Sequence, residues 1–360
     1  MQKDHYKVIG LMSGTSLDGL DIAYCNFTNE SGRWQFKLIQ SEFVAYADAF
    51  RDQLKDSIDL SAIELLVLNN QYGEWLGQKA KRFLDQHQLE VDFIASHGHT
   101  VFHQIDKQLT YQIGNGQVLA NASGQRVICD FRSLDVSLGG QGAPLVPIGD
   151  KLLFSEYDFC LNLGGISNVS FENLAERIAF DIVPVNMLLS HVLKPTGRSY
   201  DDKGSLARMG KLDHALLEAL NGLNFYQLPF PKSLSYEWFC KAIVPILDQH
   251  ELSLEDTLNT CIHHIASQIS KALIPFGTGK SQMLVTGGGA KNDFLVETLS
   301  DYLENAITVK VPHEQLVDFK EALIFAFMGV LRNREEKNCL KSVTGASQDS
   351  CGGVIYSSFN

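Results

Sequence analysis

Apolar positions along the chain change their period several times, and each change marks an element. Residues 7–12 (KVIGLM) and 20–27 (LDIAYCNF) are short, largely apolar runs on either side of a glycine-rich segment, which predicts two strands joined by a turn. Residues 62–86 are rich in helix formers and space Ile63, Leu66, Val67 and Leu76 for one buried helical face. VDFIA (91–95) predicts a short buried strand that ends at Ser96–His97–Gly98. Near the middle the opening pattern returns: a strand at 157–163 (YDFCLNL), a turn at 164–168 (GGISN) and a further strand from 168. Residues 256–273 put Leu258, Ile262, Ile265, Ile269 and Leu273 on one helical face. QMLV (282–285) predicts a strand and GGGAKN (287–292) a turn. DFLVETLSDYLEN (293–305) then predicts a helix capped by Asn292 or Asp293. KEALIFAFMGVLR (320–332) predicts one more apolar-faced helix. Strands alternate with helices and sit beside glycine turns, an α/β pattern, and the repeated glycine-turn hairpin suggests two related lobes.

Composition narrows the class. The chain has 360 residues, which at roughly 100–200 residues per domain suggests about two domains. Hydrophobic residues make up 45% and charged residues 20%, which excludes a disordered chain. Asp and Glu total 42 against 30 Lys and Arg, a formal charge of −12 that opposes nonspecific binding to nucleic acid or an anionic membrane. A local nest of backbone N–H groups can still hold one anionic ligand on such a protein. No run reaches about 18 apolar residues, so no membrane-spanning helix is expected. The opening MQKDHYKVIGLMSGTS lacks the apolar core of a signal peptide. The seven cysteines are odd in number and form no C-x-x-C pair, so they read as reduced packing residues. These features together predict a cytoplasmic protein.

The strongest local feature is GLMSGTSLDGLD (10–21). Glycines let a backbone approach phosphate oxygens, and Ser and Thr hydroxyls add donors. Asp18 and Asp21 would repel phosphate unless a divalent cation mediates. The same residues also fit a plain hairpin with a polar tip. GGGAKN (287–292) between a strand and a helix would let a flat ligand lie against backbone at a helix start, or would simply make a tight turn. GTGKS (277–281) mimics the tail of a P-loop, but the required earlier glycine is Ile274 and the segment runs from helix to strand, the reverse order. SHGHTVFH (96–103) offers His97, His99 and His103; a ligand-facing loop suits them better than a zinc site. GGQGAPLVP (139–147) is a glycine-rich bend closed by two prolines, a hinge, pocket floor or crossing. Asp181, just after an apolar run, is placed either as a turn residue or as a general base beside a pocket.

Taken in order, GLMSGTSLDGLD (10–21), SHGHT (96–100), the run from QIGNG (112–116) through CDFRSLDVSLGGQGAPLVP (129–147), LNLGGISNVSF (161–171), GGGAKN (287–292), KEALIFAF (320–327) and VTGAS (343–347) resemble the anhydro-N-acetylmuramic acid kinase family over nearly the full length. That resemblance implies the two-lobed, actin-like (ribonuclease H-like) ATPase fold of the acetate and sugar kinase, heat-shock and actin superfamily. Each lobe would be a five-stranded mixed sheet flanked by helices, with ATP and sugar in a central cleft. The lobes implied are 1–135 plus 342–360, and 136–341. The reaction implied uses ATP, Mg²⁺ and water to convert 1,6-anhydro-N-acetylmuramic acid into N-acetylmuramic acid 6-phosphate, in cytoplasmic recycling of cell-wall sugar. Asp181 aligns with the catalytic base. Gly14, Thr15, Ser16, Leu17, Asp18, Gly19, Leu20, Asp21, Gly164, Gly165, Gly287, Gly288, Gly289 and Asn292 fall in segments that imply the ATP side, with Asp18 reaching Mg²⁺ directly or through water. Thr100, Asp130, Arg132 and Glu321 fall on the sugar side, and Arg132 suits the lactyl carboxylate. A homodimer is implied by the resemblance alone.

Three departures stand out. The family's D-T-G-P-G-N around the base reads DIVPVN (181–186) here, so Val183 and Val185 replace glycines. A β-branched residue at positive φ costs about 1–3 kcal/mol. Val183 precedes Pro184, however, and the extended backbone favoured there suits valine. The family's K-S-T-G-R-E reads KSLSYE (232–237), and its H-G-Q-T reads HGHT (97–100). These differences keep two other readings open: a nucleotide- or sugar-binding protein without turnover, and a kinase for a related anhydro or amino sugar.

Overall fold

The computed structural model describes residues 3–14 and 17–358. They fall into two compact units, Met1–Leu153 with Phe319–Asn360, and Phe154–Asp318. The resemblance puts the changeovers at 135/136 and 341/342; the chain instead changes units at 153/154 and 318/319. Side-chain contacts explain the shift. Asp135 accepts from Thr344 Oγ1 at 2.8 Å and from Cys339 Sγ at 3.1 Å. Arg132 Nη1 donates to the Gly142 carbonyl, Gly10 packs against Ala322 and Gly329 against Ala95, so 136–153 and 319–341 both belong with the first unit.

Unit 1 is built on β1 (His5–Met12), β2 (Gly19–Glu30), β3 (Arg33–Ala45), β4 (Phe93–Ser96) and β7 (Val127–Cys129), with a separate hairpin of β5 (His99–Gln104) and β6 (Leu109–Ile113). The sheet runs β7-β4-β1-β2-β3, with a sixth strand, Val354–Tyr356, outside β7. The two hairpin pairings β1–β2 and β2–β3 are antiparallel, while β1–β4 and β4–β7 are parallel. The expected fifth strand is thus followed by one more, because the C-terminal segment pairs antiparallel with β7. β1 is buried at nearly every position because both of its faces are covered.

The helix Glu314–Asn333 starts six residues before the apolar pattern does. It crosses the sheet where side chains are smallest: a Cβ on Gly10 would sit 1.9 Å from Ala322 O, and one on Gly329 2.7 Å from Ala95 Cβ. Gly10→Ala must push strand and helix apart, and we expect it to destabilise unit 1 by about 1–3 kcal/mol or more. Urea unfolding followed by tryptophan fluorescence checks this; an unchanged midpoint would contradict the crossing.

The helix Ala62–His87 begins at a Ser61 capping box and buries Leu65, Leu68, Tyr72, Leu76, Ala80, Phe83 and Leu84. The expected face is wrong here: Ile63 is 76% exposed, Leu66 57% and Val67 49%, and only Leu76 lies on the buried stripe. The 63/66/67 spacing runs into Asn70 and Glu74 one turn later. The 65/68/72/76/80/83 spacing holds the three-to-four rhythm to the end, and the sustained stripe is the one that packs.

Unit 2 repeats the plan with β8 (Phe159–Leu163), β9 (Ile166–Asn173), β10 (Glu176–Pro184), β11 (Ser281–Thr286) and β12 (Ile307–Lys310), in the order β10-β9-β8-β11-β12. Again an antiparallel meander is followed by two parallel additions. The shared order, meander first and parallel strands after, is the actin-like plan expected of the chain. The helix Leu254–Leu273 buries Leu258, Ile262, Ile265, Ile269 and Leu273 completely, as their spacing predicts. Asn292 caps the helix Asp293–Leu303, its Oδ1 accepting from Leu295 N–H at 3.0 Å. None of the seven cysteines is in a disulfide, and five of them are buried.

Candidate functional site

In unit 1 the segment between β1 and β2 is anchored from below by a chain of hydroxyls. Tyr46 donates to Ser13 Oγ at 2.7 Å and shares a 2.7 Å hydrogen bond with the Tyr72 hydroxyl, while Ser13 Oγ lies 3.2 Å from His99 Nδ1. Gly14 is half-buried, Leu17 has a left-handed φ of 57°, and Asp18 is exposed. The Asp18 carbonyl accepts from Tyr46 N–H at 3.1 Å, which fixes the end of the turn. Gly19 must be glycine, since a Cβ would meet Val44 O at 2.5 Å. Leu20 turns its side chain into the core, which leaves only its main chain to a ligand, and Asp21 is half-buried opposite Met12 and Phe43. Thr15 and Ser16 lie outside the described residues.

The same unit gathers Arg132, His97, Glu321 and Phe325. Arg132 donates from Nε and Nη2 to His97 Nε2 at 3.0 and 2.8 Å, and from Nη1 to the Gly142 carbonyl at 2.6 Å. His97 Nδ1 lies 2.9 Å from Gly98 O. Burial, reinforced by the nearby guanidinium, holds His97 well below the usual imidazole range. Burial also draws Arg132 down to about 10, against the opposing pull of Glu321. The Phe325 ring packs 4.6 Å from His97 and 6.0 Å from the guanidinium, and Glu321 lies one turn before it on the same helix. Burial raises the Glu321 carboxyl, and Arg132 and Lys320 oppose the rise. Thr100 Oγ1 accepts from Gln112 Nε2 at 3.3 Å. Asp130 has a left-handed φ of 61° and accepts from Ser133 N–H at 3.3 Å.

In unit 2, Asp181 sits on β10 at a bulge in its pairing with β9. Its Oδ2 accepts from Leu234 N–H at 2.9 Å, and its own N–H donates to Lys232 O at 3.0 Å. Burial raises the Asp181 carboxyl from its ordinary value, with the Leu234 N–H pulling the other way. The following Ile182, Val183 and Val185 are buried in the unit's core. Neither valine takes a positive φ, so no left-handed penalty arises, and both side chains fill the core. In the altered 232–237 segment the contact to Asp181 runs through the Leu234 main chain and does not depend on the side chain there. Ser235, where the family has glycine, caps the next helix by accepting from Trp238 N–H at 3.2 Å.

Gly164 O and Gly165 O accept from Asn186, Val185 and Met187 N–H, which docks the β8–β9 turn on the helix Asn186–Leu193. A Cβ on Gly287, whose φ is 82°, would strike Asn162 Oδ1 at 2.3 Å, and one on Gly289 would strike Leu163 Cβ at 2.7 Å. Close packing on the end of β8 therefore demands glycine at both positions, and Gly288 is the exposed member of the three. Asn292 is occupied as a cap.

Three participants escape the sequence reading. His97 enters it as part of a ligand-facing loop, preferred there to a zinc site, with no partner named, and the main chains of Lys232 and Leu234 do not enter at all. Asn162, a polar residue inside an apolar strand, was the one signal pointing to the contact with Gly287. Among the described residues, no three His, Cys, Asp or Glu side chains gather as for a metal ion.

The family description Anhydro-N-acetylmuramic acid kinase matches residues 6–358. An anhydro-N-acetylmuramic acid kinase of Haemophilus influenzae is 34% identical, covering 99% of this chain and 98% of its own. Another, of Nitrosomonas europaea, is 31% identical over 97% of this chain and 99% of its own. Among solved structures, the activator of 2-hydroxyisocaproyl-CoA dehydratase from Clostridium difficile with bound ADPNP aligns over 91% of this chain and 97% of its own, at 12% identity and a TM-score of 0.47. Among the described residues, no helix is long and apolar enough to cross a membrane.

Proposed function

Because the chain belongs to the anhydro-N-acetylmuramic acid kinase family, we propose that it opens 1,6-anhydro-N-acetylmuramic acid with water and phosphorylates the freed oxygen, consuming ATP in the cytoplasmic recycling of cell-wall sugar. The observation that carries this is the Asp181 carboxyl. One oxygen is tied to Leu234 N–H, so the group is oriented, and burial raises its proton affinity toward what a base needs near neutral pH.

In this reading Asp181 takes a proton from the water that attacks the anomeric carbon. The anhydro C–O bond breaks, and its oxygen accepts the γ-phosphoryl group as ADP departs. Phosphoryl transfer asks mainly for positioning and charge neutralisation. In unit 1 the candidate for this is the 14–21 segment; in unit 2 the candidate is the main chain at 164–165 and 287–289. Asp18 and Asp21 are the hard oxygen donors suited to Mg²⁺, which characteristically takes one or two carboxylates and completes its shell with phosphates and water. When bound, that ion offsets phosphate charge. Thr100, Asp130, Arg132 and Glu321 are assigned to the sugar, with Arg132 on the lactyl carboxylate.

A coupled ADP assay with the anhydro sugar tests the reading. We expect ADP release only when ATP, Mg²⁺ and sugar are all present, and a product heavier by one water and one phosphoryl group. Nucleotide binding without sugar-dependent ADP release would favour the binding-only reading. A product that retains the anhydro bridge would exclude the hydrolytic step.

A further inference from the structure

The Arg132 guanidinium does not stand alone, and its partner narrows what it can bind. Arginine has five N–H donors in a fixed plane. His97 Nε2 accepts from Nε and Nη2, and the Gly142 carbonyl accepts from Nη1. That leaves one N–H on each of Nη1 and Nη2, the number a carboxylate takes in a two-pronged contact. For Nε2 to accept, the His97 proton must sit on Nδ1, and Gly98 O lies 2.9 Å away to receive it. Phe325 packs against the same ring, so orientation and tautomer are both fixed. Burial beside a cation keeps the ring neutral, as an acceptor must be.

We propose that His97 is a positioning residue: by occupying one edge of Arg132 it aims the remaining N–H pair and so sets the preference for a sugar that carries a carboxylate. This rests on the assignment of Arg132 to the lactyl carboxylate made above. His97 touches no substrate in this account and acts only through Arg132.

The test compares 1,6-anhydro-N-acetylmuramic acid with 1,6-anhydro-N-acetylglucosamine, the same ring without the lactyl group, on the full chain. His97→Leu keeps an apolar group against Phe325 and removes the acceptor. We expect its KM for the first sugar to rise about tenfold or more, with kcat within about threefold and the second sugar little affected. His97→Gln can place an oxygen near the Nε2 position and should restore the preference. His97→Asn, too short to do so, should not, and this pair decides the matter if the leucine variant folds poorly. Equal losses on both sugars, or a preference restored by Asn and not by Gln, would overturn the proposal. Arg132→Ala separates the two layers. If it abolishes the preference while His97→Leu keeps it, the positioning role is wrong and the Arg132 assignment stands. If it leaves the preference intact, the assignment falls and the positioning role falls with it.

Discussion

Asp181→Asn should lose about 10²–10⁴-fold in turnover, the range a positioned general base contributes, while remaining folded. The amide oxygen can still accept from Leu234 N–H, so the local bond survives. Stability moves the other way. Burial raises the folded-state pKa of Asp181 above its unfolded value. Its contribution to stability is therefore complete below the unfolded pKa and is lost as pH rises through the folded one. At neutral pH the ionised carboxylate burdens the fold, and the asparagine variant should unfold at the same temperature or higher. At pH below the unfolded value that advantage should vanish. The acid limb of kcat/KM in the parent protein should lie above the ordinary value of an aspartate, because activity is lost as this raised group takes up its proton. Thermal melts at pH 7 and pH 3.5, beside the pH–rate profile, check all three statements. A variant with near-normal turnover would remove Asp181 from the chemistry.

Lys320→Met should produce the largest loss of stability. Lys320 and Asp150 form an ion pair at 2.7 Å with side chains only 6% and 4% exposed. Removing one partner leaves the other charge in a poorly solvated place, which typically costs about 3–5 kcal/mol. Replacing both with apolar or neutral groups of similar size costs far less, since the desolvation of the pair disappears with it. Urea unfolding of Lys320→Met, Asp150→Asn and the double variant should therefore show strong coupling, the double variant being more stable than Lys320→Met. Additive losses would mean that the pair contributes nothing as a pair. Because Lys320 also favours the ionised form of its neighbour Glu321, the single variant should raise that carboxyl further.

The sequence exposes what is local. The strands at 7–12, 20–27 and 157–163, the buried stripe at 258–273 and the Asn292 cap all follow from neighbouring residues and appear as read, while the turn expected at 164–168 is shorter because the next strand begins at Ile166. The stripe at Ile63, Leu66 and Val67 misled because one turn of apolar rhythm does not make a face; the rest of the helix decides. The sixth strand depends on pairing between Val127–Cys129 and Val354–Tyr356, which no local pattern encodes. The unit boundary depends on contacts between residues far apart in the chain, Gly10 with Ala322 and Ala95 with Gly329.

The candidate site divides in the same way. Asp181, Arg132 and the glycine turns stand out by residue type. The Leu234 N–H does not, because every residue but proline carries one. The two valines that replace glycines near Asp181 stand out in the sequence as departures, and in the fold both complete a core with no positive φ. His97 reads in the sequence as one histidine of a ligand-facing loop, and its partner is an arginine on a distant segment.

The central claim is that one event joins hydrolysis at the anomeric carbon to phosphoryl transfer onto the oxygen it frees. Turnover in ¹⁸O-labelled water, quenched early and read by fragment mass spectrometry, tests it. The account predicts label on the anomeric hydroxyl of the phosphorylated sugar and none in the phosphoryl group. Label in free phosphate, with the anhydro bridge intact, would contradict it.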